Sequence, residues 1–233
     1  DSILLSTSLS LNVLNLSLDK FTDIKTKVKI DPLPYNSDLI NKFDSLLFNP
    51  YSEKLDRAGD IFLVSSALFA CSSVLLAPKG NLLTNTLMLA ETFLLANGIK
   101  DSLKLIVNRP RPYMYFENPP QEDLIDGDWC CSWPSGHTTL AFTAASFASY
   151  TFWKNYPKSP WRFAVTAVSF SLATTTGILR IASGNHFMTD VFTGAIIGTA
   201  CGILVPFLHT LKVENKTVSA SANPLGISLC IKF

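Results

Sequence analysis

Residues 163–209 read FAVTAVSFSLATTTGILRIASGNHFMTDVFTGAIIGTACGILVPFLH. Two apolar runs, 163–182 and 187–209, flank the breaker Ser183-Gly184-Asn185. Runs of this length and composition predict helices, and their Gly, Ala, Ser and Thr content suits close helix–helix contact. Across 163–211 the only charged side chains are Arg180 and Asp190, with His186 and His209 also titratable. Polar groups in such surroundings cost free energy unless they are paired or used.

Outward from this stretch the pattern repeats. Residues 61–77, 82–107 and 135–153 predict three more apolar helices, the second carrying Glu91, Lys100, Asp101 and Lys104. Glu91 in mid-helix argues against a lipid-facing position there. Pro78-Lys79-Gly80-Asn81 is a turn signal, 108–134 is a loop with five prolines, and Lys154 to Arg162 is a short basic turn. The fold class expected is all-α: a bundle of about five or six apolar helices, membrane-embedded, with a short β-prone C-terminal tail. Three regions follow. Residues 1–57 form an amphipathic, then solvated segment with seven Lys/Arg and seven Asp/Glu between 19 and 57. Residues 58–211 form the helical catalytic core. Residues 212–233 form the tail, with a hairpin expected around Asn223-Pro224-Leu225-Gly226.

Composition agrees. The 233 residues are 48% hydrophobic and only 16% charged, which excludes a disordered chain or a coiled coil. A net charge of +1 supplies no field for a duplex, so no nucleic-acid partner is expected. Of five cysteines, Cys71 and Cys201 read as small core residues, and Cys130-Cys131 lies in a polar loop where a disulfide to another loop is open. Alternating helix directions place Lys79, Lys154, Lys158, Arg162 and Lys212 on one face. The loop 113–133, with five acids and no Lys or Arg, falls on the other. The positive-inside rule puts the basic face in the cytoplasm and the acidic loop outside. Tyr113, Tyr115, Phe116, Trp129 and Trp133 are expected at the membrane interface.

The chemistry-bearing residues fall in three groups. His186 and Asp190, i and i+4, share a helix face, so Asp190 is expected to accept from Nδ1–H and leave Nε2 free. Arg180 turns toward the same point through the Ser183-Gly184-Asn185 break. Lys104 and Arg111 are two helical turns apart, and Pro110 and Pro112 end or bend the helix near Arg111. Arg109 reads as an ordinary cation at a helix terminus. Pro134-Ser135-Gly136-His137 opens the third apolar helix, whose N–H groups with Ser135 and Gly136 cradle an anion while His137 sits at the rim. Three cations, an anion cradle and two histidines are the inventory of a phosphoryl site without a metal or cofactor.

Lys104-x6-Arg111-Pro112, Pro134-Ser135-Gly136-His137 and Arg180-x5-His186-x3-Asp190 together resemble the three-part signature of the type 2 phosphatidic acid phosphatase/vanadium haloperoxidase superfamily. The resemblance implies a helical bundle with the site at one end. It implies His186 as the nucleophile forming a phosphohistidine, Asp190 orienting it and His137 as general acid. Lys104, Arg111, Ser135, Gly136 and Arg180 would bind the phosphate. Leu179 departs from the pattern, which usually has Ser before the third-motif arginine. The expected function is a metal-independent phosphatase acting on a lipid phosphate or pyrophosphate in a bilayer, its site facing outward. A soluble exported acid phosphatase and a vanadate-dependent haloperoxidase are the alternatives.

Overall fold

The structure is a computed structural model that describes residues 2–22, 33–78, 82–213, 218–223 and 226–231. Lys79, Gly80 and Asn81 of the expected turn, together with Pro224 and Leu225, lie outside these residues, as does the Lys212 side chain. Seven helices are described: α1 Ser2–Thr22, α2 Glu53–Leu75, α3 Leu82–Val107, α4 Gln121–Asp126, α5 Gly136–Asn155, α6 Trp161–Ala182 and α7 Met188–Val213. The tail forms an antiparallel hairpin, β1 Val218–Asn223 with β2 Gly226–Ile231, registered so that Asn223 faces Gly226.

α5 is the axis of the bundle, packed against α2, α3, α6 and α7. Its inward residues are small: Ala141, Ala144, Ala145 and Ala148 are buried, beside Phe147. Its hydroxyls would be costly in such a core, and three of them turn back onto the chain of their own helix. Thr139, Thr143 and Thr151 each donate to the carbonyl four residues earlier, at 2.8 Å. Glycines at Gly194, Gly198 and Gly202 of α7 face α5. A Cβ on Gly198 would stand 2.2 Å from the Thr139 carbonyl oxygen, so the two backbones approach only because no side chain intervenes.

Among the described residues, four segments are long and apolar enough to cross a bilayer: Glu53–Leu75, Leu82–Tyr115, Trp161–Ala182 and Met188–Thr210. α5 is not among them. It is the most enclosed of the long helices, and its small polar residues face protein. The outer faces of the four present Ile61, Leu68, Leu83, Phe163, Ile178 and Ile196. Between α3 and α7, Glu91 is buried and pairs with His209 Nε2 at 2.6 Å. That pairing explains a carboxylate in mid-helix.

One boundary moves. α2 begins at Glu53, eight residues before its apolar run, so Glu53 to Arg57 are helical rather than part of a solvated segment. α1 lies along α3, where Asn12 and Asn15 donate to the Leu94 and Gly98 carbonyls at 2.8 Å.

Candidate active site

One end of the bundle holds an open polar cavity of about 360 Å³. The start of α2 contributes Asp56 and Asp60, the end of α3 contributes Lys100 and Lys104, and α5 opens with Gly136 and His137. Arg180 comes from the last turn of α6, Asn185 and His186 from the turn after it, and Arg111 and Asp128 from the loop after α3. The three sequence motifs therefore meet in one place.

They do not arrive entirely as the spacing predicts. α3 stops at Val107, so Arg111 reaches the cavity through the loop and not along a helix face. The loop holds it tightly. Its backbone N–H donates to the Trp129 carbonyl at 2.8 Å, its Nε donates to the Asp128 carbonyl at 2.9 Å, and one terminal nitrogen donates to Asn185 Oδ1 at 2.8 Å. The guanidinium also ion-pairs with the Asp128 carboxylate. The two lysines lie over Gly136: a Cβ there would be in ordinary contact with Lys100 Cδ at 3.4 Å and Lys104 Nζ at 3.8 Å.

Ser135 is spent locally. It is fully buried, and its hydroxyl caps its own helix, accepting from the Thr138 N–H and lying 2.9 Å from Thr138 Oγ1. It does not line the cavity. Ser135 thus shapes the cradle from behind.

His186 sits at the floor, 1% exposed. Its Nδ1 lies 2.7 Å from the Ser132 carbonyl oxygen. A carbonyl can only accept, so Nδ1 carries the proton and Nε2 keeps its lone pair. Burial, followed by the Arg111, Arg180 and Lys104 cations, holds this imidazole well below its ordinary 6.5. The ring is a neutral base surrounded by positive charge.

Asp190 does not play the part its spacing suggested. Its Oδ2 is 3.7 Å from His186 Nδ1, too far for a hydrogen bond. α7 starts at Met188, so His186 lies before the helix and the i, i+4 geometry does not reach it. Asp190 is the third residue of the helix, and its Oδ2 instead accepts the Phe187 N–H at 2.8 Å, the carboxylate half of a capping box. The same oxygen accepts from the Ser132 hydroxyl at 2.5 Å. Asp190 thereby fixes Ser132, and Ser132 fixes His186.

Arg109 is likewise more than a helix-end cation. It donates to Asp190 Oδ1 at 2.5 Å and to Asp44 Oδ2 at 2.6 Å, with its guanidinium 4.3 Å from the Phe187 ring centre. Both carboxylates are fully buried. Burial pushes the Asp44 carboxyl up, but the bonds from Arg109 and Thr189 outweigh it and hold the group below 3.8. Asp44 falls in the segment expected to be solvated, yet it is fully buried and, 65 residues upstream of Arg109, closes the back of the site.

Acids also meet the cations at the front. Arg180 ion-pairs with Asp56, and His137 Nε2 lies 2.7 Å from Asp60 Oδ1. Gly59, between the two acids, lets α2 lie against Arg180, since a Cβ there would stand 3.3 Å from Arg180 Cδ. The sequence signal for this wall is an Asp pair spaced i, i+4 just ahead of an apolar run. The loop aromatics also differ from expectation. Tyr113 and Trp129 are buried, with Tyr35, Tyr51 and Tyr115 packed around them, so they brace the loop that holds Arg111. Cys130 and Cys131 are buried in the same cluster, with Cys130 Sγ 3.2 Å from the Gly127 carbonyl oxygen, rather than in a polar loop.

Cations converging on a neutral imidazole at one end of a helical bundle make a pocket whose charge suits an oxyanion. Residues 85–213 match the PAP2 superfamily, and the chain belongs to that family. It is similar to lipid A 1-phosphatase of Porphyromonas gingivalis, 35% identical over 92 residues, covering 40% of this chain and 19% of that protein. It is also similar to probable diacylglycerol pyrophosphate phosphatase 1 of Schizosaccharomyces pombe, 29% identical over 127 residues, 44% of this chain and 45% of that one. The match thus spans less than half the length of either relative. Among solved structures, Aquifex aeolicus LpxE aligns over 70% of this chain and 92% of its own, with 26% identity and a TM-score of 0.47.

Proposed function

We propose that this chain is a membrane-embedded phosphatase that hydrolyses a lipid phosphate or pyrophosphate monoester through a phosphohistidine on His186, without a metal ion. The observation that carries this reading is the convergence of Lys104, Arg111 and Arg180 around a buried imidazole whose Nε2 is free. The cations neutralise the equatorial phosphate oxygens, the work a metal does elsewhere. Nε2 attacks phosphorus in line, and His137, at the open side, protonates the leaving oxygen. Asp190 supports the nucleophile through Ser132. The curated relatives carry names of lipid phosphatases, which supports a lipid substrate.

The apolar outer faces of α2, α3, α6 and α7 support a bilayer setting. α5 runs about 26 Å, at ~1.5 Å per residue, from His137 at the cavity to Lys154 at the other end. Lys154, Lys158 and Arg162 therefore cluster away from the site, and the positive-inside rule turns the cavity outward.

The test is phosphate release, with a chelator present, from a panel of lipid phosphates and one soluble phosphomonoester, wild type beside His186→Ala. Release from a lipid by wild type alone is expected. Release only from the soluble ester, with extraction that needs no detergent, would move the protein to exported acid phosphatases. Halide oxidation with vanadate and no phosphate release would make it a haloperoxidase.

A further inference from the structure

The two histidines of the cavity are each anchored through one nitrogen, and the anchors differ in kind. His186 Nδ1 meets a neutral carbonyl, that of Ser132. His137 Nε2 meets a carboxylate, that of Asp60. A carbonyl orients a ring without changing its charge preference. A carboxylate orients it and also stabilises the imidazolium. The pocket thus holds one imidazole suited to attack and one suited to give up a proton.

We infer that Asp60 is the positioning residue of His137, holding its ring and favouring the protonated form from which Nδ1 serves the leaving oxygen. This rests on the phosphatase reading above. Asp60 lies on α2, outside all three motifs and 77 residues from His137. Its place is set by the fold. Asp56 and Asp60 share a face of α2 one turn apart, Asp56 pairs with Arg180, and Gly59 lets the helix close on that arginine. Asp60 is thereby delivered to the rim, its side chain 57% exposed, where it reaches His137. Among the described residues Nδ1 of His137 makes no hydrogen bond, so that nitrogen is available to substrate.

The groups around His137 oppose one another. Burial and then the Arg180 guanidinium lower its imidazole, the Asp60 carboxylate works against both, helped by Asp56, and the balance of all of them lies at about 4. Without Asp60 the ring keeps the influences that strip its proton and loses the strongest one that retains it. The anionic phosphate of the substrate adds to Asp60 when it binds.

The proton balance is as follows. His186 Nε2 bonds to phosphorus as the ester P–O bond breaks. The leaving oxygen takes the proton from Nδ1 of the His137 imidazolium, which becomes neutral with its remaining proton on Nε2 toward Asp60. Water then attacks phosphorus, the N–P bond breaks, and the water's proton returns to Nδ1.

A positioning role has a signature that a structural role lacks, which is dependence on the leaving group. A lipid alkoxide needs the proton, whereas nitrophenolate leaves readily without it. Wild type, Asp60→Asn, Asp60→Glu and His186→Ala, in detergent micelles, are compared on p-nitrophenyl phosphate and on the lipid phosphate identified by the panel above. A general acid supplies about 10²–10⁴-fold. Asp60→Asn should therefore lose on the order of 10–100-fold in kcat on the lipid. The loss on the nitrophenyl ester should be several-fold smaller, and Asp60→Glu should recover part of the lipid rate. An unchanged thermal midpoint shows that Asp60→Asn is folded. Equal losses on both substrates, or none on either, overturn the inference alone. A wild type that releases phosphate from neither substrate, or a His186→Ala variant as active as wild type, overturns the phosphatase reading and the inference with it.

Discussion

Arg109→Leu removes the one cation that bridges two carboxylates with no solvent exposure, Asp44 and Asp190. Leucine keeps most of the apolar stem against Phe187, so the perturbation is chiefly the charge. Asp44 retains the Thr189 N–H at 2.9 Å and the Asn41 amide at 2.6 Å, and Asp190 retains Ser132 and the Phe187 N–H. What remains is two buried negative groups with neutral donors and no counter-ion. Breaking a buried pair by removing one partner costs about 3–5 kcal/mol. At roughly 2–4 °C per kcal/mol for a chain of this size, the thermal midpoint should fall by about 6–20 °C. Differential scanning fluorimetry in detergent, wild type beside Arg109→Leu, measures it. Adding Asp44→Asn to Arg109→Leu removes one of the stranded charges and should raise the midpoint again. A fall of less than about 2 °C, or a double variant less stable than the single one, would refute the reasoning, because both outcomes require that the carboxylates do not need the arginine.

His186 should remain a neutral Nδ1–H ring from pH 8 down through its ordinary 6.5, since its protonation is displaced to lower pH by burial and three cations. Nitrogen NMR of histidine-labelled protein in micelles reads this directly, and a midpoint near 6.5 contradicts it. Gly198→Ala places a methyl against the Thr139 carbonyl and the Thr143 nitrogen, neither of which can swing aside. It should cost about 1–3 kcal/mol in the same thermal assay, as overpacking does, and a neutral result would mean that α5 and α7 separate freely.

The apolar helices were legible because burial and bilayer contact both demand uninterrupted apolar stretches, and prolines and glycines mark where they end. The start of α2 was not, because Glu53, Asp56 and Asp60 interrupt the apolar pattern where the helix leaves the core and enters the cavity. Charge reads as solvation in a sequence, whereas in this fold it is the site. Lys104, Arg111, His137, Arg180 and His186 could be selected because cations and imidazoles are conspicuous in apolar surroundings. Their supports could not. Asp44, Asp60 and Ser132 act across long separations, and nothing local to them announces a partner. Asp190 misled through its spacing, since i, i+4 implies a shared face only when both residues are inside the helix. His186 stands two residues before α7 begins.

The central position of α5 has a consequence for the order in which the molecule is assembled in a bilayer. It follows α3 in the chain and precedes α6 and α7, yet it packs against all of them and is the long core helix too polar to cross on its own account. When it emerges from the ribosome, only α1 to α4 exist to receive it. Thr139, Thr143 and Thr151 already carry their own backbone partners, which lowers the cost of waiting, but Ser146 and Ser149 have none. A chain interrupted after α5 would therefore expose to lipid the helix that the finished protein encloses.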